Sequence, residues 1–433
     1  MEEPSISPPY TDFRSRFEQD YGRAVFATPV RRLQDKAQVF PLEPIDAVRT
    51  RLTHSMEVSS VARSVTRKVL GELKDDWLDE NKRYDVETIA ATCGLLHDIG
   101  NPPFGHFGEK AIRSWFKDSD LLKKIPKEFA LDFECFEGNA QTIRLVTRLQ
   151  VLSDFRGLNL TAGTLSALLK YTATADSINS AKDAPQSQTK PGFFKAELPE
   201  ISKVQKATGT GSLRNPIAQL VEASDDLVYL TVDLEDAVKK NVVRWNDFEE
   251  TLRGLATDVF EDVEKFKEEC GKLHTGASLG EAQAQFFRTA AIRCGAKAVS
   301  DCFVSHYDQI MDGSWDRELL YVSDRGKFFE AIKDFSIKNI YNSKETVRLE
   351  VLGHNVLHDL LRLFSKADIE AKPGTFERKL YDLLSRNYRS VYEQTSSDLD
   401  PQYARALLLT DYICGMTDTF AVRLHRDLMQ GQL

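Results

Sequence analysis

Helix-breaking residues are scarce along this chain, which limits what it can fold into. Its 433 residues include 23 glycines and 15 prolines, a smaller share than the roughly 12% these two residues take in average proteins. Hydrophobic residues make up 42% and charged residues 28%, so the chain has the apolar side chains for a core and is not expected to be disordered. The composition therefore predicts a mostly helical protein.

The charge balance and the cysteines limit the classes of function. Lysine and arginine number 57 against 66 acidic residues, a net charge of −9, which argues against a general duplex-binding surface but not against a small pocket for a polyphosphate. The six cysteines form no CxxC pair, so neither a zinc ribbon nor a disulfide framework is expected. Without a signal-peptide pattern or an apolar run of about 18 residues, we expect a cytoplasmic protein with no membrane partner.

Apolar spacing and terminator residues predict the helices around one histidine-rich segment. Glu87 to His97 has apolar residues at helical spacing and runs into Gly100-Asn101-Pro102-Pro103, which is a helix terminator. A second helix is expected to start near Gly108 and to run through Phe116.

Farther along, the pattern predicts one irregular region between helices. Leu165 to Tyr171 reads as an apolar helix. Residues 173–213 are rich in Ser, Thr, Lys, Gly and Pro, and we expect an irregular excursion there with short strands around Phe193-Phe194. The helical pattern resumes at Pro216.

A histidine followed directly by an aspartate is the first sign of chemistry. His97 and Asp98 stand where a helix is about to end, so both side chains can turn toward one cation, which suits Mn²⁺, Mg²⁺, Fe²⁺, Co²⁺ or Zn²⁺. His54 stands 43 residues before His97, at the polar start of an apolar helix. Asp225 and Asp226 lie inside an apolar helix, where an unpaired acid is costly to bury. A metal explains Asp225, and pairing with an arginine is the alternative.

The order His54, His97-Asp98, Asp225 resembles the H…HD…D pattern of HD-domain metallohydrolases. More narrowly, seven segments resemble the dGTP triphosphohydrolase (dGTPase) family, in family order over residues 31–421. They are RRLQDKAQVF (31–40), VRTRLTHSMEV (48–58), GLLHDIGNPPFGHFGE (94–109), FEGNAQ (136–141), TLSALLKY (164–171), EASDDLVYLTVDLEDA (222–237) and DYICGMTDTFA (411–421).

This resemblance implies a fold and a reaction. The fold is an all-α HD-domain core with additional C-terminal helices. We expect an N-terminal arm (1–30), the catalytic core (31–240, including the excursion 173–213) and a helical C-terminal region (241–433) that completes the substrate pocket and subunit contacts. The reaction is hydrolysis of deoxynucleoside triphosphates at the α-phosphorus, which yields deoxynucleoside and tripolyphosphate.

The resemblance also assigns the metal ligands and a catalytic pair. The four ligands of a single divalent ion match His54, His97, Asp98 and Asp225. Mn²⁺ or Mg²⁺ is the expected ion, and Fe²⁺, Co²⁺ and Zn²⁺ are further options. The catalytic histidine and its acidic partner match His106, nine residues after His97, and Glu109, three residues later. That spacing at a helix start lets the carboxylate hold one ring nitrogen while the other exchanges a proton. Whether the imidazole acts first as acid or as base stays open.

Six further positions match the family's substrate contacts. Arg51, Lys170 and Tyr171 correspond to triphosphate contacts, and Gln38 lies near the sugar and base. Tyr229 and Asp233 stand four and eight residues after Asp225, on one stripe of its helix. A tyrosine at the position of Tyr229 excludes a ribose 2′-hydroxyl.

The resemblance extends to partners and biological role. It implies a homo-oligomer (hexamer or tetramer), a nucleotide activator and single-stranded DNA as a further partner. dGTP is the expected preferred substrate, and removal of deoxynucleotides would serve either pool control or defence against phage.

Two other functions are left open. A phosphodiesterase of the HD class, acting on cyclic or oligomeric nucleotides, would be expected to have additional histidines and often a lysine after HDxG, where this chain has Asn101. A catalytically silent sensor of nucleotide or single-stranded DNA would be expected to have lost metal ligands, all of which this chain keeps.

Overall fold

The computed structural model describes residues 13–43, 45–73, 78–150, 157–270 and 277–429, and no strand is present in these ranges. This confirms the all-α prediction. The first helices are α1 (Arg16–Phe26), α2 (Thr28–Arg32), α3 (Arg51–Glu72), α4 (Glu80–Leu96), α5 (Gly105–Asp118), α6 (Lys127–Glu134), α7 (Gly138–Arg144), α8 (Ala162–Leu168), α9 (Leu198–Thr208), α10 (Pro216–Lys239) and α11 (Trp245–Leu252). They are followed by α12 (Thr257–Cys270), α13 (Ala277–Ser305), α14 (Tyr307–Met311), α15 (Leu319–Val322), α16 (Gly326–Ser336), α17 (Lys344–Phe364), α18 (Phe376–Leu383), α19 (Arg386–Thr395), α20 (Pro401–Cys414) and α21 (Asp418–Met429).

The described residues fall into two compact units, each made of separate stretches of chain. The first unit takes the described parts of Met1–Ala37, Leu95–Asn215 and Glu350–Leu433. The second takes those of Gln38–Gly94 and Pro216–Leu349. None of the described helices is both long enough and apolar enough to cross a membrane.

In the second unit, α10 is the central helix and packs against α3 and α13. It begins at Pro216, as the sequence predicts, since proline is tolerated in the first turn, where its missing N–H has no helical partner. Nearly every residue from Ala218 to Val238 is buried, as expected of a helix with neighbours on all sides. Aromatic rings of α11, α12, α13 and α16 form one cluster in this core, comprising Trp245, Phe248, Phe260, Phe287 and Phe328.

In the first unit, a buried ion cluster joins α7 to α20. Arg144 donates hydrogen bonds to both carboxylate oxygens of Asp411 at 2.8 and 2.7 Å, and to Glu197 at 2.8 Å. All three residues are buried. Removing one member of such a cluster costs far more than a surface pair does, because the remaining charges stay buried without compensation.

The helices on either side of the HD segment are confirmed, but the helix predicted over Leu165 to Tyr171 ends earlier than expected. α4 ends at Leu96 and α5 covers Gly105–Asp118. α8 ends at Leu168, so Lys170 and Tyr171 lie beyond the helix. The reason is a competing contact: the Thr172 N–H donates to the Ser187 carbonyl at 2.7 Å, and the Gly192 N–H donates to the Ala173 carbonyl at 2.8 Å.

The excursion 173–213 contains more helix than its composition suggests. Its described structure consists of short 3₁₀ turns, an isolated bridge between Ala173 and Pro191, and the helix α9. Phe193 and Phe194 are buried, but they lie in no strand, so the predicted strands there were wrong. α9 escaped detection because it buries only Ile201 and Val204 in a polar sequence.

A buried carboxyl on α6 predicts a pH dependence of stability. Asp132 accepts hydrogen bonds through Oδ2 from Tyr403 at 2.6 Å and from the Lys195 N–H at 2.8 Å. Burial raises the pKa of Asp132 to about 7 despite these donors, against roughly 3.9 in an unfolded chain. Between these two values the folded protein binds the proton more tightly, so stability present at low pH is lost as the pH rises through 7.

We therefore expect Asp132 to lower the free energy of unfolding between pH 5 and pH 8 by at most roughly 3 kcal/mol, since only about two pH units of that interval lie below the folded pKa. Urea unfolding of wild type and Asp132→Asn at both pH values measures this contribution, which the variant should lack. The control is Glu128→Gln, an exposed position on the same helix, which should keep the wild-type difference. An equal difference in Asp132→Asn and wild type would contradict the assignment.

Candidate active site

His97 and Asp98 lie in the tight turn after α4. Their side chains are 13% and 14% exposed, and His97 Nε2 lies 3.5 Å from Asp98 Oδ1. The side-chain amide of Asn101 donates to the same Oδ1 at 2.5 Å. On α7, the Thr142 hydroxyl donates to the His97 carbonyl at 3.2 Å and accepts from the Gly100 N–H at 3.0 Å. Thr142 of α7 thus holds the backbone of the turn, and Asn101 holds the Asp98 carboxylate.

Two glycines allow this turn to touch the start of α7. A Cβ on Gly100 would lie 2.2 Å from the Gly138 carbonyl oxygen, and a Cβ on Gly138 would lie 2.1 Å from Asn101 Oδ1 and 2.9 Å from Glu109 Oε1. Neither position has room for any larger residue. Sequence reasoning used HDIGN and FEGNAQ as family markers, but it missed that their glycines pack against each other.

His106 and Glu109 form the hydrogen-bonded pair that their spacing predicts. His106 Nδ1 lies 2.9 Å from Glu109 Oε2, and Glu109 Oε1 accepts from the Gly138 N–H at 2.7 Å. The carboxylate is buried, whereas 77% of the His106 side chain is exposed. Burial alone would raise the pKa of Glu109, but the hydrogen bond and charge of His106 outweigh it and lower that pKa below its ordinary value. The pair therefore consists of a fixed carboxylate and an accessible imidazole.

In the second unit, His54 and Asp225 lie together. His54 is in the first turn of α3, which Thr50 and Thr53 cap reciprocally. Its side chain is 1% exposed, and its Nε2 lies 3.0 Å from Asp225 Oδ1 on α10. Imidazole and carboxylate groups are both common metal-binding groups, so this contact is compatible with the metal explanation for the acid inside α10.

The donor chemistry fits a divalent cation. The first unit offers the His97 imidazole and the Asp98 carboxylate, and the second unit offers the His54 imidazole and the Asp225 carboxylate. Imidazole nitrogens with carboxylate oxygens form a mixed donor set that suits Mn²⁺, Mg²⁺, Fe²⁺, Co²⁺ and Zn²⁺ alike.

Four buried carbonyl-type oxygens of the second unit have no hydrogen-bond donor among the described residues: Gln38 Oε1, Asp85 Oδ1, Gln219 Oε1 and Asp233 Oδ1. Those of Gln38 and Asp233 belong to predicted substrate contacts. The other carboxylate oxygen of Asp233 accepts from the Tyr341 hydroxyl at 2.7 Å, and burial raises the pKa of Asp233 to about 8. Such oxygens are costly to bury unless a ligand or water supplies a partner.

Two tyrosines of the second unit, Tyr229 and Tyr341, make contacts through their hydroxyl groups. The Tyr229 hydroxyl lies 3.2 Å from that of Tyr321. Tyr341 escaped sequence reasoning because it ends a π-helical turn 108 residues after Asp233, outside any recognised motif.

Lys170 and Tyr171 lie beside a second lysine in the first unit. The ammonium groups of Lys170 and Lys190 each lie 5.9 Å from the centre of the Tyr171 ring. Lys190 also pairs with Glu137 at 3.3 Å. It was missed because it stands in the Ser- and Lys-rich stretch read as irregular. Arg51, the remaining predicted phosphate contact, is buried at the start of α3 in the second unit.

Comparison with known proteins gives two family matches and closely similar relatives. The HD domain matches residues 51–178, and the phosphohydrolase-associated domain matches residues 326–427. A deoxyguanosinetriphosphate triphosphohydrolase-like protein of Listeria innocua is 38% identical over 96% of this chain and 94% of its own. Deoxyguanosinetriphosphate triphosphohydrolases of Serratia proteamaculans and Yersinia enterocolitica are 33% and 32% identical, over 97% and 96% of this chain and 95% and 94% of their own.

The glycine contact yields a prediction. In Gly138→Ala, the new methyl group must displace Asn101 or Glu109, so we expect the free energy of unfolding to fall by about 1–3 kcal/mol. Gly71→Ala is the control, because Gly71 lies in α3 with open space around its Cβ, and the helix should gain up to about 1 kcal/mol. Urea unfolding distinguishes the two, and equal stability of Gly138→Ala and wild type would contradict the close packing.

Proposed function

Because this chain belongs to the HD-domain deoxyguanosinetriphosphate triphosphohydrolase family, we propose that it hydrolyses deoxynucleoside triphosphates at the α-phosphorus to deoxynucleoside and tripolyphosphate. The observation that carries the proposal is the pair of His106 and Glu109, which Gly138 connects to the HD turn. A positioned imidazole and a metal-binding turn together are the parts that phosphoester hydrolysis requires.

The ligands in this proposal are His54, His97, Asp98 and Asp225, which hold one divalent ion. The bound ion would polarise a phosphate oxygen and lower the pKa of its water. Asn101 orients Asp98 through the side-chain hydrogen bond to its Oδ1. Such outer partners keep a ligand in its binding direction.

His106 carries a proton in this proposal. Glu109 holds Nδ1, which leaves Nε2 as the ring nitrogen that exchanges a proton at the reaction centre. The departing 5′-oxygen is a poor leaving group unless it is protonated, so His106 serves the reaction in its protonated form at that step.

The sugar-binding part of the proposal rests on the buried oxygens of Gln38 and Asp233. A deoxyribose hydroxyl would supply the hydrogen bonds that these oxygens do not receive from the described residues. Tyr229 lies one helical turn before Asp233 on α10, where its ring would exclude a 2′-hydroxyl and so disfavour ribonucleotides.

For the triphosphate we propose Arg51, Lys170 and Tyr171, together with Lys190. The two lysines flank one tyrosine ring. Lysine and arginine groups are the usual partners of phosphate oxygens.

The finer assignments rest on the relatives alone. We propose dGTP as the preferred substrate because the relatives are named for it, and Mn²⁺ or Mg²⁺ as the ion. A homo-oligomer, a nucleotide activator, a single-stranded DNA partner, and a role in deoxynucleotide pool control or antiphage depletion follow from the same family resemblance.

One incubation series tests the reaction. The purified protein is incubated with each dNTP and each rNTP, singly and as a dNTP mixture, with Mn²⁺ or Mg²⁺, and the products are resolved by chromatography. Deoxynucleoside and tripolyphosphate that disappear with a chelator are the expected result. Turnover in the mixture alone would support nucleotide activation, whereas survival of all nucleotides with hydrolysis of cyclic or oligomeric ones would contradict the proposal.

Replacement of the proposed proton carrier has a defined kinetic signature. His106→Ala should lower kcat by about 10²–10⁴-fold while KM changes little, since the substituted group acts in the chemical step. His306→Ala, which alters a histidine stacked on Trp315, is the control and should match wild type. Steady-state kinetics decides the matter: a raised KM with normal kcat would make His106 a binding residue.

A further inference from the structure

Asp418, the first residue of α21, accepts two backbone hydrogen bonds from distant parts of the first unit. Its Oδ1 accepts from the Phe104 N–H and its Oδ2 from the Ala37 N–H, both at 2.9 Å. The donors stand 314 and 381 residues away in sequence. Asp418 itself is 2% exposed. The bond from Phe104 is buried and that from Ala37 is partly buried, and a charged acceptor makes strong hydrogen bonds in such surroundings.

Phe104 is a residue whose backbone needs support from outside. It has φ 64° and immediately precedes α5, and a left-handed conformation costs a non-glycine residue about 1–2 kcal/mol. Its ring packs where a Cβ on Gly353 would lie 2.7 Å from the ring carbon Cγ. Asp418 fixes the N–H and α17 receives the ring. Both contacts set the direction in which α5 starts at Gly105, immediately before His106.

Ala37 directly precedes Gln38 in the chain, and a second buried group acts on the same segment. The Lys36 ammonium donates to the Asn101 carbonyl at 2.5 Å and to the Cys414 carbonyl at 2.8 Å. Four hydrogen bonds that involve side-chain groups therefore join residues 36–37, the turn 101–104 and the segment 414–418; three are buried and that of Ala37 is partly buried.

We propose that Asp418 is a positioning residue for the reaction: by holding the Phe104 and Ala37 N–H groups, its carboxylate places His106 and Gln38. This inference rests on the proposed function, because it takes His106 as the proton carrier and Gln38 as a sugar contact. The proposal assigns Asp418 no direct part in binding substrate or metal. Its effect passes through the backbone, where a displacement of about 1 Å can cost 10²-fold in rate.

The test compares two substitutions on the same helical turn. Asp418→Asn keeps the shape but replaces one acceptor oxygen with an NH₂ group that cannot accept. Thr419→Val is the control. The Thr419 hydroxyl donates to Asp35 Oδ1 at 2.7 Å on the exposed surface, so it also connects the start of α21 to the chain just before Lys36. We expect Asp418→Asn to lose at least about tenfold in kcat with an unchanged Mn²⁺ stoichiometry per folded chain, and Thr419→Val to match wild type.

Amide hydrogen exchange gives a readout that is independent of activity. In Asp418→Asn, protection of the Ala37 and Phe104 amides should fall selectively, whereas Thr419→Val should keep it. Wild-type protection at both amides in Asp418→Asn would overturn the proposal, as would unchanged kcat in folded protein. If wild type hydrolyses no dNTP, the proposed function fails, while the exchange result still decides whether Asp418 holds the Ala37 and Phe104 amides.

A second variant covers the case in which Asp418→Asn does not fold. Asp418→Glu keeps both acceptor oxygens and shifts them by one methylene. It should remain folded and bind Mn²⁺ as wild type does, with lower kcat and with faster exchange at the same two amides. Wild-type kcat and exchange in Asp418→Glu would overturn the proposal.

Discussion

The carboxylate of Glu109 is the group on which the described arrangement in the first unit depends. One oxygen holds the His106 ring and the other accepts from the Gly138 N–H, so a single buried charge joins the start of α5 to the start of α7. The charge is tolerated because each oxygen has a donor. Gly138 and Gly100 have no side chain, and this lets the HD turn approach the same point.

Much of this could be predicted from sequence, because it depends on local spacing. The helix end before His97 and the i,i+3 relation of His106 to Glu109 follow from residues close together in the chain. The start of α5 was predicted near Gly108 and lies at Gly105. The C-terminal end of α8 did not follow, because Thr172 and Ala173 bond with a segment about fifteen to twenty residues later. The contacts of Tyr341 and Asp418 could not be predicted either, since each residue bonds with a partner more than a hundred residues away.

In the first unit, the segment that matches the phosphohydrolase-associated domain supplies carboxylates that accept hydrogen bonds from the segment matching the HD domain. Asp411 accepts from Gln141 and Arg144 of α7, and Asp418 accepts from Phe104. Both acids lie in residues 326–427, and each anchors a motif that lies in the HD-domain match. Buried charges of this kind are tolerated only when they are paired and hydrogen-bonded, and both acids have such partners.

The central claim is that His54, His97, Asp98 and Asp225 hold one ion, and a Mn²⁺ titration followed by electron paramagnetic resonance tests it most directly. The account predicts one Mn²⁺ per wild-type chain, retained in His106→Ala and lost in His97→Ala and Asp225→Asn, with all four proteins folded by circular dichroism. Two ions per chain, or full binding in either ligand variant, would contradict it.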